Sequence, residues 1–135
     1  MLFSAAPHRT DITHYATRLP AGPLSARAAR QFVQAGLAAK GLRSDDAELV
    51  TSELVTNVAR HVGADFVLEL KINGCVRIEV ADASRAIPAV ADVDVEAERG
   101  RGLFIVAALA RAWGVAATAR GKRIWVELEA EPLPG

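Results

Sequence analysis

The sequence contains one cysteine and three histidines, and this scarcity excludes several kinds of site. With Cys75 alone, the 135-residue chain has no internal disulfide and no cysteine-cluster metal site. Cys75 follows Gly74 at the start of a strand-like run with no histidine near it in the pattern, which favours a structural thiol over a nucleophile. The histidines show no metal-binding spacing either.

Neither sign of charge is in excess, and long apolar runs are absent. Lysine plus arginine equals aspartate plus glutamate at 16 each. Nucleic-acid binding normally requires a basic excess, so we expect no direct nucleic-acid partner. No apolar run approaches the roughly 18 residues of a membrane helix, and residues 1–7 lack the features of a secretory signal. We therefore expect a cytoplasmic protein without a membrane partner.

The composition is that of a globular protein, with 51% hydrophobic and 24% charged residues. The length predicts a single domain over residues 1–135, with a core from about residue 10 to about residue 128 and flexible termini.

Apolar periodicity and turn residues predict an ordered series of helices and strands. In chain order they are a strand Thr10 to Leu19, a helix opened by Pro23 and Ser25 and stopped by Gly41, a helix capped by Ser44, strands Phe66 to Ile72 and Cys75 to Val80, a loop Ala83 to Arg99, a helix Leu103 to Trp113 closed by Gly114, a hairpin of Val115 to Ala119 with Ile124 to Leu128, and a frayed tail Glu129 to Gly135.

Hairpin-connected strands predict an antiparallel sheet whose one face the helices cover. Asn73-Gly74 between two alternating runs indicates the first hairpin. Alternation places the polar residues of that hairpin toward water, namely Glu69, Lys71, Arg77 and Glu79. The first helix is expected to bury Ala28, Phe32, Ala35 and Leu37 to Ala39. The fold predicted is α+β, a two-layer sandwich of a mixed, mostly antiparallel sheet with helices on one face.

The second helix carries a polar stripe beside an apolar one. Glu53, Asn57 and His61 recur at i, i+4 and i+8, with Arg60 beside the first two. They border the apolar positions Ala47, Val50, Thr51, Leu54, Val58 and Val62. A carboxylate and a carboxamide at the edge of a core are well placed to hold a metal ion or orient a water. The alternative is structural, with Glu53 pairing with Arg60 and Asn57 capping a loop.

Three further features each allow two interpretations. Asp82 at a strand end can accept a hydrogen bond from an amine such as that of a purine, or can form a turn. Gly100-Arg101-Gly102 can offer backbone amides to phosphate, or can merely lead into a helix. Lys122 and Arg123 can reach an anion, or can be the solvated tip of a hairpin.

Taken in chain order, these features resemble the Bergerat-fold (GHKL) ATP-binding superfamily. The resemblance is closest to its small bacterial regulatory branch, the anti-sigma-factor serine kinases and single-domain histidine-kinase-like ATPases. It covers about Leu42 to Leu128, and its most specific matches are Ser52-Glu53-Leu54-Val55-Thr56-Asn57 and Gly100-Arg101-Gly102-Leu103.

The resemblance implies a role for each candidate residue. Asn57 would coordinate the Mg²⁺ that bridges the phosphates of ATP, and Glu53 would activate the attacking hydroxyl. Asp82 would receive the adenine amino group, and Arg60 would lie near the phosphates. The remaining residues placed in the nucleotide site are His61, Lys122 and the lid residues Gly100, Arg101 and Gly102.

The sequence also departs from the family pattern. Ala83-Ser84-Arg85-Ala86 stands where Gly-x-Gly is usual, Arg123 replaces a threonine in the strand lining the adenine pocket, and Val58 replaces an alanine. Loss of the glycines is expected to weaken adenine binding, Arg123 to lose one polar contact to the base, and Val58 to add bulk near the nucleotide.

The function that the resemblance implies is an ATP-dependent kinase that binds a sigma factor and phosphorylates an antagonist (anti-anti-sigma) protein. Such kinases are often homodimers. The alternative is a partner-binding module with a degenerate pocket and no catalysis. A metal-dependent hydrolase is disfavoured, because it requires more carboxylates or histidines than this helix supplies.

Overall fold

A computed structural model describes residues 12–83 and 104–134. Within them lie β1 Thr13–Leu19, α1 Ser25–Ala38, β2 Leu42–Arg43, α2 Asp45–His61, β3 Phe66–Ile72, β4 Val76–Asp82, α3 at 104–109, β5 Ala112–Ala117, β6 Lys122–Leu128 and β7 Glu131–Pro132. Five strands form one sheet in the order β1-β3-β4-β6-β5, with every neighbouring pair antiparallel. The predicted α+β fold with a mostly antiparallel sheet is confirmed. None of the helices in these two ranges is long and apolar enough to cross a membrane.

The sheet buries one face against α1 and α2. In β3 the buried residues alternate with half-exposed ones, and the apolar residues of β4 and β6 follow the same period. The fully buried side chains include Phe66, Leu68, Leu70, Ile78 and Ile124. Burial of a side chain of this size contributes roughly 1.5–3 kcal/mol, so this layer supplies most of the driving force for folding.

Helix α1 forms where it was predicted but buries a partly different face. The buried residues are Ala29, Val33, Gly36 and Leu37, whereas Ala35 is exposed. Gly36 sets this orientation, because a Cβ there would lie 2.5 Å from Leu70 Cδ2 and 3.1 Å from Tyr15 Cδ2. Phe32 is half-buried and packs against the core as predicted, but the prediction of Ala35, Ala38 and Ala39 was wrong, because alanines on every side of this helix leave the limits of its apolar face undefined by sequence.

Helix α2 follows the sequence pattern closely. Ser44 is its N-cap, and its Oγ accepts a hydrogen bond of 3.0 Å from the Ala47 N–H. The predicted apolar positions 47, 50, 51, 54 and 58 are buried, together with Val55. The buried Thr51 hydroxyl donates to the Ala47 carbonyl at 2.7 Å, so its polar group is satisfied within the helix.

Helix α3 ends earlier than predicted, and Trp113 and Gly114 belong to β5. Gly114 pairs across the sheet with Trp125. A Cβ at Gly114 would lie 2.9 Å from the Trp125 indole. The glycine therefore makes room for a cross-strand tryptophan and does not terminate a helix.

The segment after β6 is ordered into a small second sheet, although it was predicted to fray. Strand β7 pairs antiparallel with β2. Arg43 and Glu131 form an exposed ion pair of 2.7 Å, and the Leu133 N–H donates to the Gly41 carbonyl at 2.8 Å. Gly41 has a φ of +72°, a conformation that glycine adopts without strain.

The outer face of the sheet is more enclosed than predicted. Glu79 lies on this face in the central strand β4, yet it is only 2% exposed. Its Oε2 accepts from Arg77 Nε at 2.7 Å and from Lys71 Nζ at 3.2 Å. Arg77 also stacks on Trp125, with the guanidinium carbon 4.3 Å from the ring centroid. Long side chains from neighbouring strands thus cover a carboxylate that was predicted to face water.

Burial and ionic contacts act in opposite directions on the pKa of Glu79. Burial alone would raise the pKa of this carboxyl, but the hydrogen bonds and charges of Arg77 and Lys71 outweigh it and hold the pKa below its ordinary value. Burial would likewise lower the pKa of Arg77, and its contacts with Glu79 and Glu127 raise it instead. Glu79 is therefore an ionised structural group.

Candidate functional site

Helix α2 presents Glu53 and Asn57 at the edge of the core. Both side chains are half-buried, while the intervening Leu54 and Val55 are fully buried. The preceding Ser52 hydroxyl accepts a hydrogen bond of 2.8 Å from Arg30 Nη1 of α1. This bond fixes α2 against α1 one residue before Glu53. The polar stripe is consequently carried by a packed and oriented helix.

The side chains of Glu53 and Asn57 make no hydrogen bond or ion pair with any other residue in the described ranges. In particular, Glu53 does not pair with Arg60, which is exposed. The structural interpretation of this stripe required that pair. A half-buried carboxylate and carboxamide that have no partner among residues 12–83 and 104–134 can interact with a ligand.

Asp82 and Lys122 meet at the end of the sheet next to the helices. Asp82 is the last residue of β4, Lys122 is the first residue of β6, and the two are cross-strand partners. Lys122 Nζ lies 3.1 Å from Asp82 Oδ1 and 3.1 Å from Oδ2. The side chains are 8% and 1% exposed, respectively. Both lie on the sheet face that packs against the helices. Asp82 is two residues from the buried Val80 and Lys122 is two residues from the buried Ile124, and residues two apart in a strand share a face.

Gly121 brings the two strands into this close approach. A Cβ at Gly121 would lie 2.0 Å from the Asp82 carbonyl oxygen and 2.6 Å from Ala83 Cα. The hairpin is closed by Thr118, which accepts from the Gly121 N–H at 2.9 Å and donates its own N–H to the Gly121 carbonyl at 2.8 Å. Only glycine fits at this position, so the sequence Gly121-Lys122 positions Lys122 beside Asp82.

Arg123 lies on the outer face of the sheet, away from the helices, which corrects the expectation that its substitution for threonine affects the fit of adenine. It is 44% exposed at the side chain and pairs with the outer-face Glu79, at 3.3 Å from Arg123 Nε to Glu79 Oε1. Lys122 takes the inward position instead. The strand alternation that predicts this was present in the sequence, because Lys122 lies two residues before Ile124.

The other predicted site residues are placed only in part. His61 is the last residue of α2. Arg60 lines a groove of about 470 Å³ between the start of α1 and the end of α2, and none of Glu53, Asn57 and Asp82 lines it. The predicted lid residues Gly100, Arg101 and Gly102 lie outside the described residues, as do Ser84 and Arg85.

The donor set suits a magnesium nucleotide better than a protein-held metal. In residues 12–83 and 104–134, no cluster of three or more His, Cys, Asp or Glu side chains could hold a metal ion. A single Asn57 carboxamide oxygen is a suitable ligand for Mg²⁺, which keeps several waters and takes further oxygens from phosphates. Asn57 and Glu53 thus fit a hard cation that a nucleotide brings with it.

Comparisons with known proteins identify the family and the fold of the chain. Residues 19–128 match the family described as the histidine kinase-like ATPase domain. The fold is similar to that in the crystal structure of the RsbU and RsbW domains of Rv1364c from Mycobacterium tuberculosis, at 21% sequence identity and a TM-score of 0.65. The similarity covers 90% of this chain and 34% of that one, so this chain spans about a third of its length. A comparison with curated proteins finds no match.

Proposed function

Because the chain belongs to the family of histidine kinase-like ATPase domains, we propose that it is an ATP-binding regulatory kinase that uses Mg²⁺. Its phosphoryl acceptor is a serine or threonine of an antagonist protein, and its second partner is a sigma factor. The resemblance of residues 52–57 to the anti-sigma-factor kinases supports this class of partner. The same resemblance supports a homodimer in the cytoplasm.

One observation carries the proposal: Glu53 and Asn57 lie one helical turn apart, half-buried and unpaired within the described residues. Such groups lose part of their hydration on folding, and a bound ligand that supplies partners restores the lost interactions. Asp82 lies at the end of β4, which packs against α2, so the same layer holds an acceptor for a base.

The roles follow from the chemistry of each side chain. The Asn57 oxygen would bind Mg²⁺ together with phosphate oxygens, and Asp82 would accept a hydrogen bond from the adenine amino group. Glu53 would accept the proton of the attacking hydroxyl as the new bond from oxygen to the γ-phosphorus forms. The bond from the γ-phosphorus to its bridging oxygen breaks, ADP leaves, and Glu53 keeps the proton until water takes it.

The proposal is tested with two substitutions in α2. Asn57→Ala should weaken Mg-ATP binding by about tenfold or more in calorimetry, since a charge-assisted contact is lost. Glu53→Gln should bind Mg-ATP within about threefold of the intact protein and transfer labelled phosphate to a co-purified antagonist about 10²–10⁴-fold more slowly. The exposed Asp46→Asn at the other end of α2 is the control and should match the intact protein. An intact protein that shows no binding of Mg-ATP would contradict the proposal.

A second candidate is a partner-binding module that does not catalyse transfer. The buried Asp82–Lys122 pair favours it, because a cation already occupies part of the carboxylate that a base would contact. This module would capture the same partners but would transfer no phosphate. Transfer that Glu53→Gln abolishes would rule it out.

A further inference from the structure

Lys122 is placed to do more than neutralise Asp82. Its ammonium has three donors and no acceptor; one donor bonds to Asp82 Oδ1, and Asp82 Oδ2 lies 3.1 Å from the same nitrogen. The side chain is 8% exposed, so little water reaches the remaining donors. Buried donors in proteins are normally satisfied, and a ligand acceptor beside Asp82 would satisfy one of them.

Asp82 and Lys122 present an acceptor and a donor side by side, 3.1 Å apart. The Watson–Crick edge of adenine presents the complementary pair, a donor at the N6 amino group and an acceptor at N1. The carboxamides of asparagine and glutamine read adenine through the same combination of one oxygen acceptor and one nitrogen donor. Here two side chains from neighbouring strands supply the combination that a single carboxamide supplies elsewhere.

We propose that Lys122 is a specificity-determining residue that donates a hydrogen bond to N1 of adenine while Asp82 accepts one from N6. This inference rests on the proposed binding of ATP. It assigns Lys122 to the base, whereas the sequence allowed either contact with an anion or a solvated hairpin tip.

The inference is tested with ATP and 1-deaza-ATP, in which a C–H group replaces N1. Calorimetry on the intact protein should give an affinity at least about tenfold weaker for 1-deaza-ATP, because a hydrogen bond from a charged donor is lost. Lys122→Met should lower the affinity for ATP and bring the ratio of the two affinities close to one. Arg123→Met, one residue away on the outer face, is the matched control and should keep the ratio of the intact protein.

The outcomes separate this inference from the proposed function. Equal affinities of the intact protein for ATP and 1-deaza-ATP would overturn the role of Lys122 and leave ATP binding in place. A preference that persists in Lys122→Met would do the same. Binding of neither nucleotide would overturn both.

A measurement on the intact protein covers the case in which Lys122→Met does not fold. The chain has only three lysines, Lys40, Lys71 and Lys122, so nitrogen NMR of the side-chain ammonium groups resolves each one. The Lys122 Nζ resonance should move when ATP binds and move much less with 1-deaza-ATP. The same shift with both nucleotides would overturn the inference.

Discussion

Strand β4 carries two buried carboxylates on opposite faces of the sheet. Glu79 faces outward and contacts cations from three strands, namely Lys71, Arg77 and Arg123. Asp82 faces the helices and shares its carboxylate with Lys122 at the end of the sheet. The two acids are three residues apart in sequence, so the pleat alone assigns them to different environments.

The two acids differ in their position within β4: Glu79 lies in an ionic network on the outer face, and Asp82 ends the strand on the face toward the helices. The cations around Glu79 come from its own strand and from both neighbouring strands, so Glu79 is held on several sides. Asp82 and Lys122 stand at the ends of their strands, which is where the proposed contact with a base would be made.

The largest effect on the Asp82 end of the sheet is expected from a substitution at Gly121 that pushes β4 and β6 apart. Gly121→Ala should destabilise the protein by about 3 kcal/mol, because its Cβ would lie 2.0 Å from the Asp82 carbonyl oxygen and the strand must shift. The shift should also weaken ATP binding by displacing Asp82 from Lys122. Chemical denaturation measures the first effect and calorimetry the second.

Gly22→Ala is the matched control for that substitution. A Cβ at Gly22 would have no atom within 4 Å, so its stability should change by less than about 0.5 kcal/mol. Equal stabilities of the two variants would contradict the close approach of the strands.

The outer face is tested with Glu79→Gln. This substitution should lower the free energy of unfolding by about 2 kcal/mol at neutral pH, because three cations lose a buried anionic partner. Since the folded-state pKa of Glu79 is lowered, its contribution is present above the unfolded pKa of a glutamate, about 4.3, and is lost as the pH falls through the folded value. Denaturation curves of the two proteins should therefore differ at pH 7, and the difference should shrink as the pH falls below about 4.3. ATP affinity should stay the same.

Glu129→Gln is the control on an exposed glutamate and should change stability by less than about 0.5 kcal/mol at either pH. A Glu79→Gln variant as stable as the intact protein at pH 7 would show that Glu79 is not the centre of the outer-face network.

The sequence predicted helices and strands best in segments whose apolar residues follow a single period. Helix α2 and its cap at Ser44 followed from a regular apolar stripe, and the hairpin of β3 and β4 followed from alternation around Gly74. The prediction failed where the deciding contact comes from elsewhere in the chain. Gly36 turns α1 toward β3, and Gly114 makes room for Trp125, and neither contact is visible in local sequence.

The site was predictable in its residue types but not in all their positions. The spacing on one helix predicts Glu53 and Asn57. It does not predict whether Glu53 pairs with Arg60, and only the structure shows that this pair is absent from the described ranges. The assignment of Arg123 to the pocket was wrong because it followed the family motif and did not consider which face of the strand each residue takes. Counting back in twos from Ile124 places Lys122 inward, and this signal was available from the sequence alone.

The smallest expected effect is that of Arg123→Met, which distinguishes the role of Arg123 from that of Lys122. Arg123→Met should cost less than about 1 kcal/mol, because Arg123 is 44% exposed and Glu79 keeps Arg77 and Lys71. Its ATP affinity should stay within about twofold of that of the intact protein. Denaturation and calorimetry on the same preparations measure both quantities. A tenfold change in ATP affinity would mean that Arg123 reaches the nucleotide, which requires β6 to pair with β4 one residue out of the register that joins Ala81 to Arg123.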